Sequence, residues 1–460
     1  MVAGLITFAR HMSLDNRPQE QEPLTRVDQL VDFFRQGEKP ADQHRVGMEH
    51  EKIGLTAGTV DPVAYGGPHG IEELLRRWER FGYEPFLENG KPIAATKQGL
   101  SISLEPGGQL ELSGLPFHCC NDLARELQRH LARMRALGAE LGHVWLGTGY
   151  RPFGTPNDAR WVPKGRYGRM REHLSRSGRY GLDMMAMTAT VQASFDYADE
   201  ADMVRKVQMA LRVSPLVTAL FANSPLREGR KTGALSFRTL VWREVDPLRC
   251  GIRPEFFAPD FGYAGYAAWA LDIPMIFLRR DHGYLDPRGL TFRQFLAAGL
   301  EGQRATASDW EDHLTTLFPE VRLKRVVEMR GADMGTAAMC LALPAIWKGL
   351  LYTREALEAA AQLVPVPVVE LIALQESVAR QGLKARVGDR SVAELCRELV
   401  ELAAGGLRQQ ERCGPDEGQF LEPLRDLVAR GTTPAEDALR RLDGELRGDP
   451  LGLIDYWRIA

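Results

Sequence analysis

The sequence predicts an α+β protein, in which an antiparallel sheet precedes a helical C-terminal region. Short segments far apart in the chain carry acidic or amide side chains at every second position, which is the pattern of a β-strand. Gly and Pro clusters end these segments, as in Glu105-Pro106-Gly107-Gly108, and are typical of turns. Two capping boxes, Ser391-x-x-Glu394 and Thr433-Pro434-x-Glu436, predict helices in the region of about 353–460.

The alternating segments each have one polar and one apolar face. The polar residues are Glu49 and Glu51 in GMEHEKIGL, Glu105, Gln109 and Glu111 in SISLEPGGQLELSG, Gln192 and Asp196 in TATVQASFDY, and Glu328 in VVEMRGAD. One such segment alone is better explained as a solvated outer face, but several together favour a shared site. A face with this many carboxylates repels itself unless cations neutralise it. We therefore expect divalent cations there, and Mg²⁺ usually arrives with phosphates.

A fifth segment, SFRTLVWRE, is interpreted as a strand that places Arg238 and Trp242 on one face. That face would offer a guanidinium to a substrate carboxylate and an indole wall to its aliphatic part. In MRGAD, Arg330 shares a face with Glu328. A structural salt bridge explains either arginine about as well.

Helices are predicted between the strands. Amphipathic patterns indicate helices at Arg26–Gln36, Gly70–Phe81 and Asn121–Leu141. The segment ADEADMVRKVQMALRVSPLVTALFANSP is predicted to form two helices that break at Pro215, because proline removes a hydrogen bond from a helix interior.

Composition excludes several classes of protein. The 460 residues are 44% hydrophobic and 26% charged, which is ordinary for a globular protein and excludes extensive disorder. The net charge of −3 leaves no basic footprint for nucleic acid, and no apolar run approaches the ~18–20 residues of a membrane span. We interpret residues 1–23 as an N-terminal extension and residues 24–460 as a single catalytic domain, whose helical part is at about 353–460.

Cysteine usage favours a reducing compartment, and we expect a cytoplasmic protein. The six cysteines have neither the spacing of a zinc site nor the density of a disulfide scaffold. Cys119 and Cys120 are adjacent, which does not suit a loop-closing disulfide, and the other four cannot be placed together from sequence. Activity and size are therefore expected to be nearly unchanged by thiol reductant.

The segment WVPKGRYGRMREHLSRSGRYGLDMM is predicted to be a basic, glycine-containing loop. It carries Lys164, Arg166, Arg169, Arg171 and Arg179. A solvated basic surface explains such a loop best when it is taken alone. The adjoining strand with Gln192 shifts the balance towards an anion site, because anion donors then lie next to expected metal ligands.

Several familiar motifs are missing from the sequence. It contains neither G-x-x-x-x-G-K-[ST] nor G-x-G-x-x-G after a strand, so a P-loop or Rossmann nucleotide site is not expected. No histidine lies in a recognisable Ser or Cys nucleophile motif. His50 is expected on the face opposite to Glu49 and Glu51, in a structural role.

Taken in order, GMEHEKIGL, SLEPGGQLELSG, WVPKGRYGRMR, GLDMMAMTATVQASFDY, ALFANSP, EMRGAD and ALPAIWKGLLY closely resemble glutamate–cysteine ligase of the plant and proteobacterial type. The resemblance runs from about Val46 to the C-terminal TPAEDALRRLDGE. It implies a glutamine-synthetase-like catalytic fold, in which the antiparallel sheet forms a funnel. It also implies ATP-dependent ligation of the γ-carboxylate of L-glutamate to L-cysteine through γ-glutamyl phosphate, the first step of glutathione biosynthesis.

The resemblance also implies roles for residues of this chain. The implied metal ligands, for more than one Mg²⁺ ion, are Glu49, Glu51, Glu105, Glu111, Gln192 and Glu328. Substrate binding is implied for Arg169, Arg171, Arg238, Trp242 and Thr190, ATP phosphate binding for Lys164, Arg166 and Arg330, and catalysis for Glu51, Glu328 and Arg330. The division of the arginines between glutamate and phosphate stays open. The implied partners are L-glutamate, L-cysteine and ATP, without nucleic acid or membrane, for a monomer or homodimer.

The chain departs from the plant pattern in two places. Ala124, Leu341, Pro287 and Gly302 stand where the cysteines of the plant redox switch would align, so that regulation is expected to be absent. The sequence MGTAAMC after Asp333 also differs. The alternatives are another ATP-dependent carboxylate–amine ligase or guanidino kinase on this scaffold, a metal-dependent phosphohydrolase, and a non-catalytic protein that binds glutamate.

Overall fold

The computed structural model describes residues 23–281, 283–410, 413 and 416–460. Its strands are β1 (Val46–Thr56), β2 (Glu84–Glu88), β3 (Lys91–Lys97), β4 (Leu100–Leu104), β5 (Leu110–Ser113), β6 (His143–Leu146), β7 (Thr190–Phe195), β8 (Leu226–Arg227), β9 (Arg230–Lys231), β10 (Cys250–Gly251), β11 (Leu278–Arg280), β12 (Gly283–Leu285), β13 (Phe318–Pro319), β14 (Val321–Leu323), β15 (Val327–Asp333), β16 (Arg386–Val387) and β17 (Arg390–Ser391). Nine of them form one antiparallel sheet in the order β14-β15-β7-β1-β5-β4-β3-β2, with β6 paired to the end of β1.

The α-helices are α1 (Val27–Arg35), α2 (Ile71–Arg77), α3 (Cys120–Leu141), α4 (Gly165–Ser177), α5 (Gly181–Met187), α6 (Glu200–Phe221), α7 (Phe237–Arg243), α8 (Tyr263–Leu271), α9 (Phe292–Ala298), α10 (Ala307–Thr315), α11 (Ala337–Leu351), α12 (Arg354–Ala360), α13 (Val368–Gln381), α14 (Val392–Arg408), α15 (Glu422–Arg430), α16 (Pro434–Asp443) and α17 (Leu453–Trp457). Short 3-10 turns lie at 41–43, 78–81, 156–158, 254–257, 382–384, 417–421 and 450–452. None of the described helices is long and apolar enough to cross a membrane. The predicted extension at 1–23 lies outside the described residues, apart from Pro23.

The two faces of the sheet differ as the alternation predicts. Met48, His50 and Lys52 of β1 are buried on one face, together with Leu110 and Leu112 of β5. Helices α3 and α11 cover that face at β1, and α6 packs on β15. The hydrophobic core thus lies between the sheet and these helices, and the opposite face carries the acidic side chains.

Three predicted helices are confirmed, since α1, α2 and α3 lie where the patterns place them. The predicted break at Pro215 is wrong, because α6 runs unbroken from Glu200 to Phe221. Pro215 leaves the carbonyl of Leu211 without its helical N–H partner, and the hydroxyl of Ser214 donates a hydrogen bond to that carbonyl at 2.9 Å. The lost bond is therefore replaced locally.

Two other expectations about local structure are also wrong. SFRTLVWRE is a helix, α7, whose N-terminal Ser236 accepts a hydrogen bond from the N–H of Thr239. Arg238 and Trp242 still share a face, because residues four apart lie on one side of a helix. Most of the predicted basic loop is helix α4, Gly165–Ser177.

The C-terminal region is helical as predicted. Both capping boxes are present, at the start of α14 and of α16. The tail returns to the sheet, where Ala460 accepts a hydrogen bond at 3.0 Å from the N–H of Trp145 in β6. This contact ties the end of the chain to the body that carries the site.

The expectation of no disulfide is wrong. Cys119 is bonded to Cys413, with a Cα–Cα distance of 5.3 Å and a sequence separation of 294. The adjacency argument concerned only Cys119 with Cys120, whereas the bonded partner, Cys413, lies between α14 and α15 of the C-terminal region. Cys120, Cys250, Cys340 and Cys396 are free and buried.

Candidate active site

The acidic side chains of β1 meet partners on both neighbouring strands. Glu51 lies directly opposite Glu111 of β5, and Glu49 lies opposite Gln192 of β7. Glu105 occupies the turn that joins β4 to β5, where its N–H bonds to the carbonyl of Gln109 at 2.9 Å. The predicted convergence of these side chains on one face is present.

Hydrogen bonds hold several of these groups in place. The carboxylate of Glu111 accepts bonds from the hydroxyls of Ser103 at 3.1 Å and Ser113 at 2.8 Å. Glu51 accepts the backbone N–H of Thr190 at 3.0 Å. The hydroxyl of Thr190 donates to the carbonyl of Ala332 at 2.6 Å, so this residue positions Glu51 through its backbone.

Proximity and burial shift the acid–base behaviour of the cluster. Burial raises the pKa of Glu49 to about 8, and the charges of Glu111 and Glu328 act in the same direction. Burial also raises the pKa of Glu105 to about 7, with Glu111 contributing. The pKa of Glu51 is raised well above its usual range by burial and then by Glu105 and Glu111. Without cations the cluster therefore retains protons near neutral pH.

Glu328 behaves differently from the other acids. Its carboxylate accepts hydrogen bonds from Arg322 at 2.8 and 2.9 Å, forms an ion pair with Lys324 at 3.3 Å, and is bonded by Arg330. Although burial opposes ionisation, these three cations lower the pKa of Glu328 below its usual range. In this structure the residue serves as a counter-ion and does not line the cavity described below.

A cavity that opens to solvent lies over the acidic face. Most predicted site residues line it, namely Glu49, Glu51, Glu105, Glu111, Gln192, Thr190, Arg166, Arg238, Trp242 and Arg330. Sequence reasoning missed further lining residues, among them Arg322, Lys324, Tyr167, Thr315 and Phe318. The alternation R-x-K within VRLKR, directly before β15, is a signal that could have indicated Arg322 and Lys324.

The cationic wall of this cavity comes from several elements. Arg238 of α7 is buried, and its guanidinium donates to the carbonyl of Arg330 at 3.0 Å. Arg330 donates to the side-chain oxygen of Gln192 at 2.7 Å, which links this wall to the acidic strands. The guanidinium groups of Arg238 and Arg330 lie 5.7 and 5.8 Å from the centre of the Trp242 ring.

Three predicted basic residues do not line the cavity. Lys164 is buried, with its ammonium 5.2 Å from the centre of the Tyr167 ring, and its charge acts to lower the pKa of Glu105. Arg169 donates to the carbonyl of Tyr284 at 3.1 Å, and Arg171 stacks 4.5 Å over the ring of Trp161. Their predicted contacts with ATP or glutamate have no support from this geometry.

Comparison with known proteins identifies the family. The sequence profile of Glutamate-cysteine ligase family 2 (GCS2) matches residues 45–451. The chain is 43% identical over 430 residues to the chloroplastic glutamate–cysteine ligase of Arabidopsis thaliana, covering 92% of this chain and 81% of that protein. It is 41% identical over 425 residues to chloroplastic ligase A of Oryza sativa subsp. japonica, with 92% and 85% coverage. The chain belongs to glutamate–cysteine ligase family 2.

A solved structure shows that the fold is shared more widely. The glutamate–cysteine ligase of Francisella tularensis, solved in complex with AMP, superposes with a TM-score of 0.55 at 14% identity, covering 90% of this chain and 87% of that one. The predicted family is confirmed, and so is the α+β class. In this member of the family, an acidic sheet face and a cationic wall meet in one cavity.

The oxygen-rich chemistry of the acidic face suits hard divalent cations. Within the parts of the chain that the structure describes, three His, Cys, Asp or Glu ligand atoms come within 4.8 Å of one another only at Cys119, Cys413 and Glu417, and the two cysteines there form the disulfide. The cavity carboxylates of this family member are thus more widely spaced than the ligands of one closed metal site. That spacing suits ions which take their remaining ligands from a bound anion.

Proposed function

We propose that this protein joins the γ-carboxylate of L-glutamate to the amino group of L-cysteine at the expense of ATP. The observation that carries the proposal is the meeting of four cavity carboxylates, Glu49, Glu51, Glu105 and Glu111, with a wall of buried guanidinium groups. Such a cavity suits a metal-bound polyphosphate on one side and an amino-acid carboxylate on the other. Family membership supplies the reaction class.

The acidic residues would hold Mg²⁺ together with the ATP phosphates. Bound ions would neutralise the phosphate oxygens and so lower the repulsion against an incoming carboxylate. The raised pKa values of Glu49 and Glu105 fit this role, because each carboxylate needs a positive partner in order to ionise at neutral pH. More than one ion suits the width of the acidic face.

The guanidinium wall would bind and orient the glutamate. Arg238 would hold a carboxylate of the substrate through its forked donors, and Trp242 would pack against the aliphatic part. Arg166 and Arg330 would face the transferred phosphate. Phosphorylation turns a poor leaving oxygen into a good one, so the chemistry needs no covalent intermediate with the enzyme.

Product analysis tests this proposal against its alternatives. A ligase forms ADP in stoichiometric amounts with the peptide product only when glutamate and cysteine are both present. A phosphohydrolase releases phosphate without an amine, and a non-catalytic glutamate-binding protein does neither. A kinase or ligase for another acceptor would form ADP with a different amine.

Some predictions stand on the sequence alone. We retain three predictions made from the sequence: a division into residues 1–23 and 24–460, a cytoplasmic location, and a monomeric or homodimeric state. The two plant relatives described above are chloroplastic by name. Fractionation of the source cells and light scattering of the purified protein would test location and size.

A further inference from the structure

Asp333 is a buried acid at the end of β15 that does not itself line the main cavity. Both of its carboxylate oxygens are hydrogen-bonded. Oδ2 accepts the hydroxyl of Ser224 at 2.6 Å and the backbone N–H of Asn223 at 2.8 Å. Oδ1 accepts the hydroxyl of Ser236 at 2.9 Å. The carboxylate therefore joins the end of β15 to two other segments, the ALFANSP motif that follows α6 and the residue that caps α7.

The surrounding backbone is shaped around this carboxylate. A Cβ atom at Gly149 would lie 2.4 Å from the carboxyl carbon of Asp333, so the absence of a side chain there makes room for the acid. The N–H of Gly149 donates to the carbonyl of Asn223 at 3.1 Å, which fixes the same segment from the other side. Burial raises the pKa of Asp333, and the charge of Arg238 acts against that shift. A buried carboxylate with three hydrogen-bond donors is rigidly held.

Two serine hydroxyls connect Asp333 to the first turn of α7. The hydroxyl of Ser224 donates to Asp333 and accepts the backbone N–H of Arg238 at 3.1 Å. The hydroxyl of Ser236 donates to Asp333 and accepts the backbone N–H of Thr239 at 3.3 Å. The first N–H groups of a helix have no partner within the helix, so such acceptors decide where the helix begins and how it is oriented. The position of α7 thus depends on Asp333.

Arg238 is held by β15 at both ends. Its backbone is connected to Asp333 through Ser224, and its guanidinium donates directly to the carbonyl of Arg330 at 3.0 Å. Arg330 lies three residues before Asp333 on the same strand. Burial lowers the pKa of Arg238, and the charge of Asp333 is the largest influence in the opposite direction. The strand therefore fixes both the position and the charge of this guanidinium.

We propose that Asp333 is a positioning residue for glutamate binding and that it acts through Arg238. The inference rests on the proposed function, in which Arg238 holds a carboxylate of the substrate. A forked contact between a guanidinium and a carboxylate needs both groups in one plane, so it is sensitive to a small shift of the helix that carries the arginine. Asp333 touches no substrate in this arrangement, and its effect is confined to the orientation of α7.

Asp333→Asn tests this inference through binding. The amide has nearly the same size, but it lacks the charge and replaces one acceptor oxygen by a donor. Titration calorimetry with Mg²⁺ and a nonhydrolysable ATP analogue measures the Kd for L-glutamate. Asp333→Asn should raise that Kd about tenfold and change the Kd for the ATP analogue by less than about twofold. The matched control is Asp260→Asn, which is exposed in the turn before α8 and should bind both ligands like the wild type.

A double variant separates positioning from a general loss of stability. If Asp333 acts through Arg238, adding Asp333→Asn to Arg238→Lys should change the Kd for glutamate by less than about twofold. Additive effects of the two substitutions would refute the inference, and so would an unchanged Kd in Asp333→Asn alone. An equal weakening of glutamate and of the ATP analogue would also refute it, because a structural role predicts no selectivity.

Ser224→Ala decides the matter if thermal unfolding shows that Asp333→Asn does not fold. This substitution removes the hydroxyl between Asp333 and the N–H of Arg238 and leaves the other hydrogen bonds of Asp333 in place. It should raise the Kd for glutamate about threefold, but not in protein that also carries Arg238→Lys. An unchanged Kd in Ser224→Ala would overturn the proposal.

Peptide formation by the wild type tests the proposed function separately. A wild type that binds glutamate but forms no peptide from glutamate, cysteine and ATP would contradict the proposed function, and the comparison of Kd values would still decide the role of Asp333. A wild type that binds no glutamate would overturn both.

Discussion

Glu51 and Glu111 stand directly opposite each other on the antiparallel strands β1 and β5, with both carboxylates facing the cavity. Like charges placed opposite each other destabilise a sheet. The serines beside Glu111 stabilise its carboxylate, and Glu51 accepts only the N–H of Thr190 among the hydrogen bonds described for it. The arrangement of the pair therefore lowers the stability of the metal-free protein and suits the binding of a positively charged ligand.

Glu51→Gln tests whether that charge is used. The amide keeps the size of the side chain and still accepts the N–H of Thr190, but it cannot neutralise a cation. Peptide formation in saturating Mg²⁺ and ATP should fall by at least about a hundredfold. The exposed Glu398→Gln on α14 serves as a matched control and should keep full activity. Retained activity in Glu51→Gln would remove this residue from the proposed metal ligands.

Glu49→Gln and Glu328→Gln should change stability in opposite directions. At pH 7 the folded metal-free protein keeps a proton on Glu49 that the unfolded chain releases, so the neutral glutamine variant should be more stable than the wild type. Removing the Glu328 charge leaves Arg322, Lys324 and Arg330 without their shared partner, which should cost about 3 kcal/mol or more in the free energy of unfolding. Urea unfolding in the presence of a metal chelator measures the free energy of unfolding of both variants relative to the wild type. A Glu328→Gln variant that is more stable than the wild type would contradict the assignment of Glu328 as a counter-ion.

The sequence predicts the acidic face well, because alternation along β1 and β5 fixes which side chains share a face. It predicts the other wall only in part. Arg238, Trp242 and Arg330 line the cavity as expected, although Arg238 reaches it from a helix, whereas Arg322 comes from a three-residue strand and was missed. Cys119 and Cys413 meet only through the packing of α3 against the C-terminal region, which no local signal encodes.

The metal-free protein should lose part of its stability as the pH rises. The pKa of Glu49 is about 8 in the folded state against 4.5 for the free side chain, so between these values the folded protein holds a proton that the unfolded chain releases. The contribution of Glu49 to the free energy of unfolding is complete below about pH 4.5 and is lost as the pH rises through about 8. Within that range the free energy of unfolding falls by up to about 1.4 kcal/mol per pH unit.

A difference measurement isolates this effect. Buried His50 and His130 have lowered pKa values and act in the opposite direction below about pH 6.5, but they are present in wild type and variant alike. The stability advantage of Glu49→Gln over the wild type should therefore grow by about 1 kcal/mol or more between pH 5 and pH 7 in chelator. An advantage independent of pH would mean that Glu49 is ionised throughout.

Arg238→Lys tests the substrate side of the cavity. Lysine keeps the charge but loses both the forked geometry and the bond from Arg238 to the carbonyl of Arg330. The KM for glutamate should rise about tenfold, with a much smaller change for ATP. The exposed Arg380→Lys on α13 is the control. An equal loss for both substrates would assign Arg238 to the phosphates.

Cys413→Ser tests the contribution of the disulfide. The bond to Cys119 closes a loop that spans 294 positions, so it restricts the unfolded chain strongly, and such bonds typically contribute about 2–4 kcal/mol. Reductant should therefore lower the unfolding temperature of the oxidised wild type and leave that of Cys413→Ser unchanged. A denaturing gel without reductant should show faster migration of the oxidised wild type than of the variant.

Serine is the suitable replacement because Lys348 lies 3.2 Å from the Cys413 sulfur and also pairs with Glu417. The serine variant therefore keeps a polar group beside this buried ion pair. An unfolding temperature that is the same with and without reductant in the wild type would show that the two cysteines are not joined in solution.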